Sequence, residues 1–260
     1  MRVKFENPGL GYMLESIMAF QKEDSSFFWS EPLFYFYPQL DKAYVSTLKG
    51  EGKRKYMEDV LSSIYKEQEK TIEEKVEIYS SFWGKHERDI SRALSDAFSL
   101  DSSDIFNDLR CYVSMNPISP RFLSDGSFEV FYLNSGKGAI GTAIHEIIHF
   151  FWFNVWNNTF HDSQEEYERP SLKWILSEMV VESIMKDERL SSINPYFPRE
   201  NGGCIYPYFF DMYVDDKPIL ETIDSLYVNN PIEEFMAKSF NYCRKHELEI
   251  RAHIEASENR

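Results

Sequence analysis

The stretch AIHEIIHFFWF, residues 143–153, sets His145, Glu146 and His149 inside a run of otherwise apolar side chains. Histidines four residues apart project from one face of a helix about one turn apart, so they can share a single ion. Glu146 follows His145 directly and stands about 60° round the helix from His149, taking roughly 3.6 residues per turn. It is close to a shared ion without being obliged to bind it. The pattern is His-Glu-x-x-His, in which two imidazoles hold zinc and the carboxylate takes a proton from the metal-bound water. The spacing therefore predicts one Zn2+ ion as cofactor, with His145 and His149 as ligands and Glu146 as general base.

The surroundings strengthen this expectation. Ile140, Ile144, Ile147, Ile148, Phe150, Phe151, Trp152 and Phe153 make the segment apolar on nearly all sides, so a helix here must be buried. Unpaired ionisable groups in such a place are heavily penalised, whereas a metal holds the histidines neutral and ligated.

A catalytic zinc takes three protein ligands and leaves one position to water. The extended form of the motif would need glycine at 152 and histidine at 155, where the chain has Trp152 and Val155. An upstream cysteine, as in peptide deformylases, could only be Cys111, and its surroundings, LRCYVSM, lack the glycine-cysteine turn of those enzymes. A following helix offers Glu178 and Glu182 within WILSEMVVESIM, residues 174–185. Glu178 shares its stripe with Trp174, Val181 and Met185, which predicts that it points inward. His161, Asp162, Glu165 and Glu166 are the other candidates, in a polar loop between the two helices.

With these residues the chain resembles the gluzincins, the thermolysin-like branch of zinc peptidases, whose motif is followed on a later helix by Glu-x-x-x-Asp or a close variant. The resemblance covers about residues 127–185. It implies that His145, His149 and Glu178 bind zinc, that Glu146 is the general base, and that Glu182 orients a ligand histidine from behind, where the family has aspartate. It further implies that Ser127–Leu133 is a strand whose free edge pairs with an extended peptide substrate.

These groups need elements to hold them. The PLFYFY stretch, residues 32–37, reads as a strand, and apolar residues at three- and four-residue steps predict a helix over 53–83 and a second piece over 87–98. Strands are expected over 109–115 and 127–133, able to pair as a hairpin with a long connection. Helices follow over 139–156 and 172–187, with a polar loop over 157–170, and further helical patterns cover 219–227 and 231–252. The expected class is α+β and zincin-like: a small, mostly antiparallel sheet packed on the active-site helix, between predominantly helical N- and C-terminal parts. A shift in composition near residue 135 divides an N-terminal region, 1–135, from a metal-site region, 136–260, unless the whole is one compact catalytic domain.

The 260 residues include 43 acidic and 28 basic ones, a formal charge of -15, which repels nucleic acid and anionic membrane surfaces alike. A mean hydropathy of -0.46 and the lack of a second spanning segment argue against a site within a bilayer. Three cysteines without paired spacing and an amino terminus without a signal sequence predict a cytoplasmic protein with reduced thiols. The expected function is hydrolysis of peptide bonds in a peptide or protein substrate. The alternative is a zinc-binding regulatory or interaction protein on a peptidase-like scaffold, against which stands Glu146, since a structural metal needs no base.

Overall fold

The computed structural model describes residues 1–22, 27–101, 106–162 and 167–258. In chain order the elements are β1 (Val3–Glu6), α1 (Leu10–Ala19), α2 (Phe27–Phe36), α3 (Lys42–Thr47), α4 (Gly50–Phe98), β2 (Leu109–Ser114), β3 (Arg121–Phe122), β4 (Ser127–Phe131) and α5 (Gly136–Phe160). Then come α6 (Leu172–Met185), α7 (Glu188–Ser191), β5 (Tyr213–Val214), β6 (Lys217–Pro218), α8 (Ile219–Val228), α9 (Ile232–Lys245) and α10 (Glu247–Glu258). The class is α+β.

The larger sheet runs in the order β1-β2-β4-β3. β1 pairs parallel with β2 and β2 parallel with β4, while two-residue β3 alone is antiparallel. The expectation of a mostly antiparallel sheet is therefore corrected, and so is the hairpin of β2 with β4. Every residue of β4 is buried, as a parallel strand covered on both faces requires. The chain leaves β2, crosses and lays Arg121 and Phe122 along the far edge of β4, where Glu129 N–H donates to the Pro120 carbonyl at 2.8 Å. Hence β4 is an interior strand rather than a free edge waiting for substrate.

One face of the sheet carries α4 and α5, with Phe128 against Phe150 at a ring separation of 6.2 Å. The other carries α1, whose Tyr12 meets Tyr112 at 4.7 Å and whose Ser16 donates to the buried Glu129 carboxylate. Buried apolar residues before and after residue 135 join in one cluster.

Local sequence explains most boundaries. The Ser135 hydroxyl accepts from Gly138 N–H and opens α5, and Ser171 accepts from Trp174 N–H and opens α6. α4 is one helix of 49 residues where two pieces were expected, because Gly84 leaves the apolar stripe intact through Ile90, Leu94 and Phe98. PLFYFY lies in helix and its end, not in a strand: Leu33 and Tyr37, four apart, are the buried pair, and Tyr37 O–H donates to the Met115 carbonyl at 2.7 Å. Aromatic content there suggested β structure, but packing at helical spacing overrides that preference. The last helical pattern is divided at His246 into α9 and α10.

Candidate metal centre

α5 carries the motif through the middle of the molecule. Glu146 and His149 are buried, and the side chain of His145 is 17% exposed, towards a cleft. Helix α6 packs beside α5 and delivers Glu178, itself 1% exposed. His145 Nε2 and His149 Nε2 are 3.0 Å apart, His145 Nε2 lies 3.3 Å from Glu178 Oε2, and His149 Nε2 lies 3.3 Å from Glu178 Oε1. Around a tetrahedral zinc with bonds of about 2.0–2.1 Å, ligand atoms stand roughly 3.3 Å from one another. The donor types fit a zinc ion, and the two imidazole nitrogens stand close to that separation from each other and each from one oxygen of the Glu178 carboxylate.

Glu146 stands beside these groups, its Oε1 3.9 Å from His145 Nε2. One ligand atom from each of His145, Glu146 and His149 lies within 4.8 Å of the others, so these three residues could also hold an ion together. Burial is the main influence on Glu146 and pushes its pKa up to about 7, against the opposing pull of His145 and Arg121.

The two histidines are held differently. His145 Nδ1 is 2.7 Å from the carbonyl of Cys204, an acceptor only, so that nitrogen carries a proton and Nε2 is the one left facing Glu178. Burial depresses His145, yet Glu178, Glu146 and the Cys204 carbonyl outweigh it and raise the pKa to about 9. Burial and the nearby Arg121 charge depress His149 to about 3. Burial would raise Glu178, but the two histidines hold it well below the usual carboxylate range. His149 Nδ1 has no hydrogen-bond partner among the described residues.

No protein family, curated protein or solved structure compared with the chain matches it. What the site can do therefore rests on its own geometry.

Glu182 contacts neither histidine. Its Oε2 accepts from Cys204 Sγ at 3.6 Å, so it supports the loop whose carbonyl holds His145. Of the alternative ligands, Asp162 is engaged elsewhere, accepting from Trp156 Nε1 at 2.8 Å and pairing with Lys173 at 2.7 Å. His161 ends α5 in a left-handed conformation, and Glu165 and Glu166 lie outside the described residues. Cys111 is enclosed within β2.

Two groups complete the surroundings: Arg121, which sequence reasoning passed over, and Tyr206, which with Tyr208, Tyr213 and His246 is available downstream to stabilise an oxyanion but carries no motif that assigns it the role. Arg121 on β3 brings its Nη1 to 3.4 Å from Glu178 Oε1 and 4.0 Å from Glu146 Oε2. Nothing in the local sequence marks it, because only the pairing of β3 with β4 carries it there. Tyr206 lines the cleft together with His145 and Glu146, and its ring stacks on Tyr208 at 5.4 Å. Tyr213 is exposed, and His246 sits against Asp215 at 3.2 Å.

The cleft has two arms that share His145, Glu146 and Tyr206. One, of about 450 Å³, runs past Arg121, Trp29 and Trp174; the other, of about 330 Å³, runs past Thr142, Tyr196 and Phe131. A ligand longer than the site itself can lie across it. Among the described residues no helix is long and apolar enough to cross a membrane.

Proposed function

We propose that this chain is a zinc-dependent hydrolase that cleaves peptide bonds, with His145, His149 and Glu178 as metal ligands and Glu146 as general base. The observation that carries the reading is the convergence of His145 Nε2 and His149 Nε2, 3.0 Å apart, on the Glu178 carboxylate, each 3.3 Å from one of its oxygens, with the Glu146 carboxylate beside them. A bound zinc supplies Lewis acidity at the scissile carbonyl and lowers the pKa of water towards about 7. Glu146, with a pKa near neutrality, accepts the proton of the attacking water and passes it to the leaving amine. The Cys204 carbonyl keeps His145 in the tautomer that ligation requires. The two-armed cleft suits a substrate with residues on both sides of the broken bond.

The gluzincin resemblance, and with it a zincin-like fold, is supported by the order motif helix, loop, glutamate helix and by the packing of α5 on the sheet. Three free thiols support action in the cytoplasm.

The test is zinc content by mass spectrometry together with peptide cleavage, in the native chain and in Glu146→Gln. We expect about one zinc per chain in both, and a loss of cleavage of roughly 10²–10⁴-fold in the variant alone. Bound zinc with no cleavage of any peptide by the native chain would leave a metal-binding protein rather than an enzyme. A native chain that purifies without stoichiometric zinc and takes none up would remove the metal centre altogether.

A further inference from the structure

The side chain of Arg121 is 8% exposed, in the wall of the cleft beside the ligand groups. Its Nη1 faces Glu178 and Glu146, and its guanidinium carbon lies 5.8 Å from the Phe153 ring. Its Nε and Nη2 are buried and have no hydrogen-bond partner among the described residues. These two nitrogens form one edge of the guanidinium, with parallel N–H bonds. Buried donors of a cation left without a partner are heavily penalised. Such an edge is the natural partner of a planar carboxylate, which takes one N–H on each oxygen.

The surroundings narrow the source of that carboxylate. Glu168 lines the same wall but bonds to neither nitrogen, and Arg169, the neighbouring cation, is paired with Glu258. Arg121 also lines a second cavity, of about 690 Å³, with Tyr12, Phe20, Phe122 and Leu123; Glu168 and Glu15, the latter paired with Arg54, are on the same wall. A ligand placed here meets one anion receptor and one large apolar pocket side by side. Both features belong to a single chemical group, the end of a chain whose last residue is apolar. The fork faces away from Glu178 and Glu146, so a carboxylate held in it sits beside the ligand groups and not on them.

We propose that Arg121 binds the free C-terminal carboxylate of the substrate while the Tyr12–Phe122 cavity takes the last side chain, making the chain an exo-acting hydrolase of peptides or N-acyl amino acids that end in a large apolar residue. The substrate class rests on the hydrolase reading above; the carboxylate site does not.

Calorimetric titration of the full chain, as purified and after chelation of its metal, tests this with N-acetylphenylalanine, its amide, and N-acetylglutamic acid α-amide as probes. Two charge-assisted hydrogen bonds should make the first bind roughly 10–100-fold more tightly than either of the others. That preference should survive metal removal, disappear in Arg121→Met and shrink in Arg121→Lys, which keeps the charge but not the fork, with thermal unfolding confirming that both variants fold. With N-acetyl-alanyl-phenylalanine as substrate, Arg121→Lys should raise KM more than it lowers kcat. Equal binding of acid and amide, or a preference that vanishes with the metal and persists in Arg121→Met, would overturn the proposal. An equal loss of kcat on the acid and amide substrates would also overturn it, since Arg121 would then act on the reacting carbonyl. A tighter hold on the glutamate probe would assign the fork to an acidic side chain and overturn the terminal reading. Absence of zinc and of cleavage, with the Arg121-dependent preference intact, would remove the hydrolase reading alone.

Discussion

At the scale of single residues, the centre depends on how four polar groups divide one small space. His145 has its proton directed by a backbone carbonyl, His149 relies on burial, and Glu178 takes both ring nitrogens through its two oxygens. Glu178→Gln keeps size and shape but loses the charge that balances a divalent ion. We expect its zinc affinity, measured by competition with a chromophoric chelator, to fall by at least about 100-fold, more than the loss of a hydrogen bond behind a ligand produces. Glu182→Gln should stay within about tenfold of native, because an amide oxygen still accepts from Cys204 Sγ. If the order of the two were reversed, Glu182 rather than Glu178 would be the ligand. The stripe with Trp174 and Val181 let the sequence predict that Glu178 points inward, though not which groups it meets, and nothing local marked Arg121.

Elements decide how closely the polar groups approach. Gly141 stands one turn before His145 on α5, and a Cβ there would run into the Asn194 side chain, with Pro195 also in contact at 3.4 Å. Asn194 is buried and held in place, accepting from Tyr196 N–H at 3.0 Å and donating to Met185 Sδ at 3.4 Å. Close packing of α5 on this loop therefore requires glycine. Gly141→Ala should lower stability by roughly 1–3 kcal/mol in denaturant-induced unfolding, as overpacking does; a loss below about 0.5 kcal/mol would mean that the loop gives way. The helices were largely readable from periodicity, and Ser135 and Ser171 mark their starts. Strand order was not, since the same residues of β2 and β4 satisfy a hairpin or a parallel pair, and only the short β3 crossing over chooses between them.

For the whole molecule, the sheet's far face raises a question of charge. Glu129, 0% exposed, takes its hydrogen bond from Ser16 on α1, and burial, partly offset by bonds from Ser114 and Ser16, lifts its pKa to about 7. A carboxyl group whose pKa is raised in the folded state stabilises that state fully below its unfolded pKa, near 4.5, and loses this contribution as the pH rises through 7. The total at stake is about 3 kcal/mol. Stability of the native chain minus that of Glu129→Gln should thus decline by about that amount between pH 4.5 and pH 7.5 in chemical denaturation. A flat difference would show that Glu129 is not protonated within the fold. The cleft carries both signs of charge, Glu146, Glu168 and Glu178 beside Lys22, Arg121 and Arg169.

The sequence by itself determined the relation of His145, Glu146 and His149, because the turn of an α-helix sets their spacing without help from the rest of the chain. It also determined that this helix would be buried, since no face of it is polar enough for water. Tertiary structure alone decided what meets the histidines: the Cys204 carbonyl 59 residues away, Glu178 from the next helix, and Arg121 from a strand of two residues. Such contacts join positions distant along the chain. They arise from the packing of whole elements, for which no periodicity within one segment provides a signal.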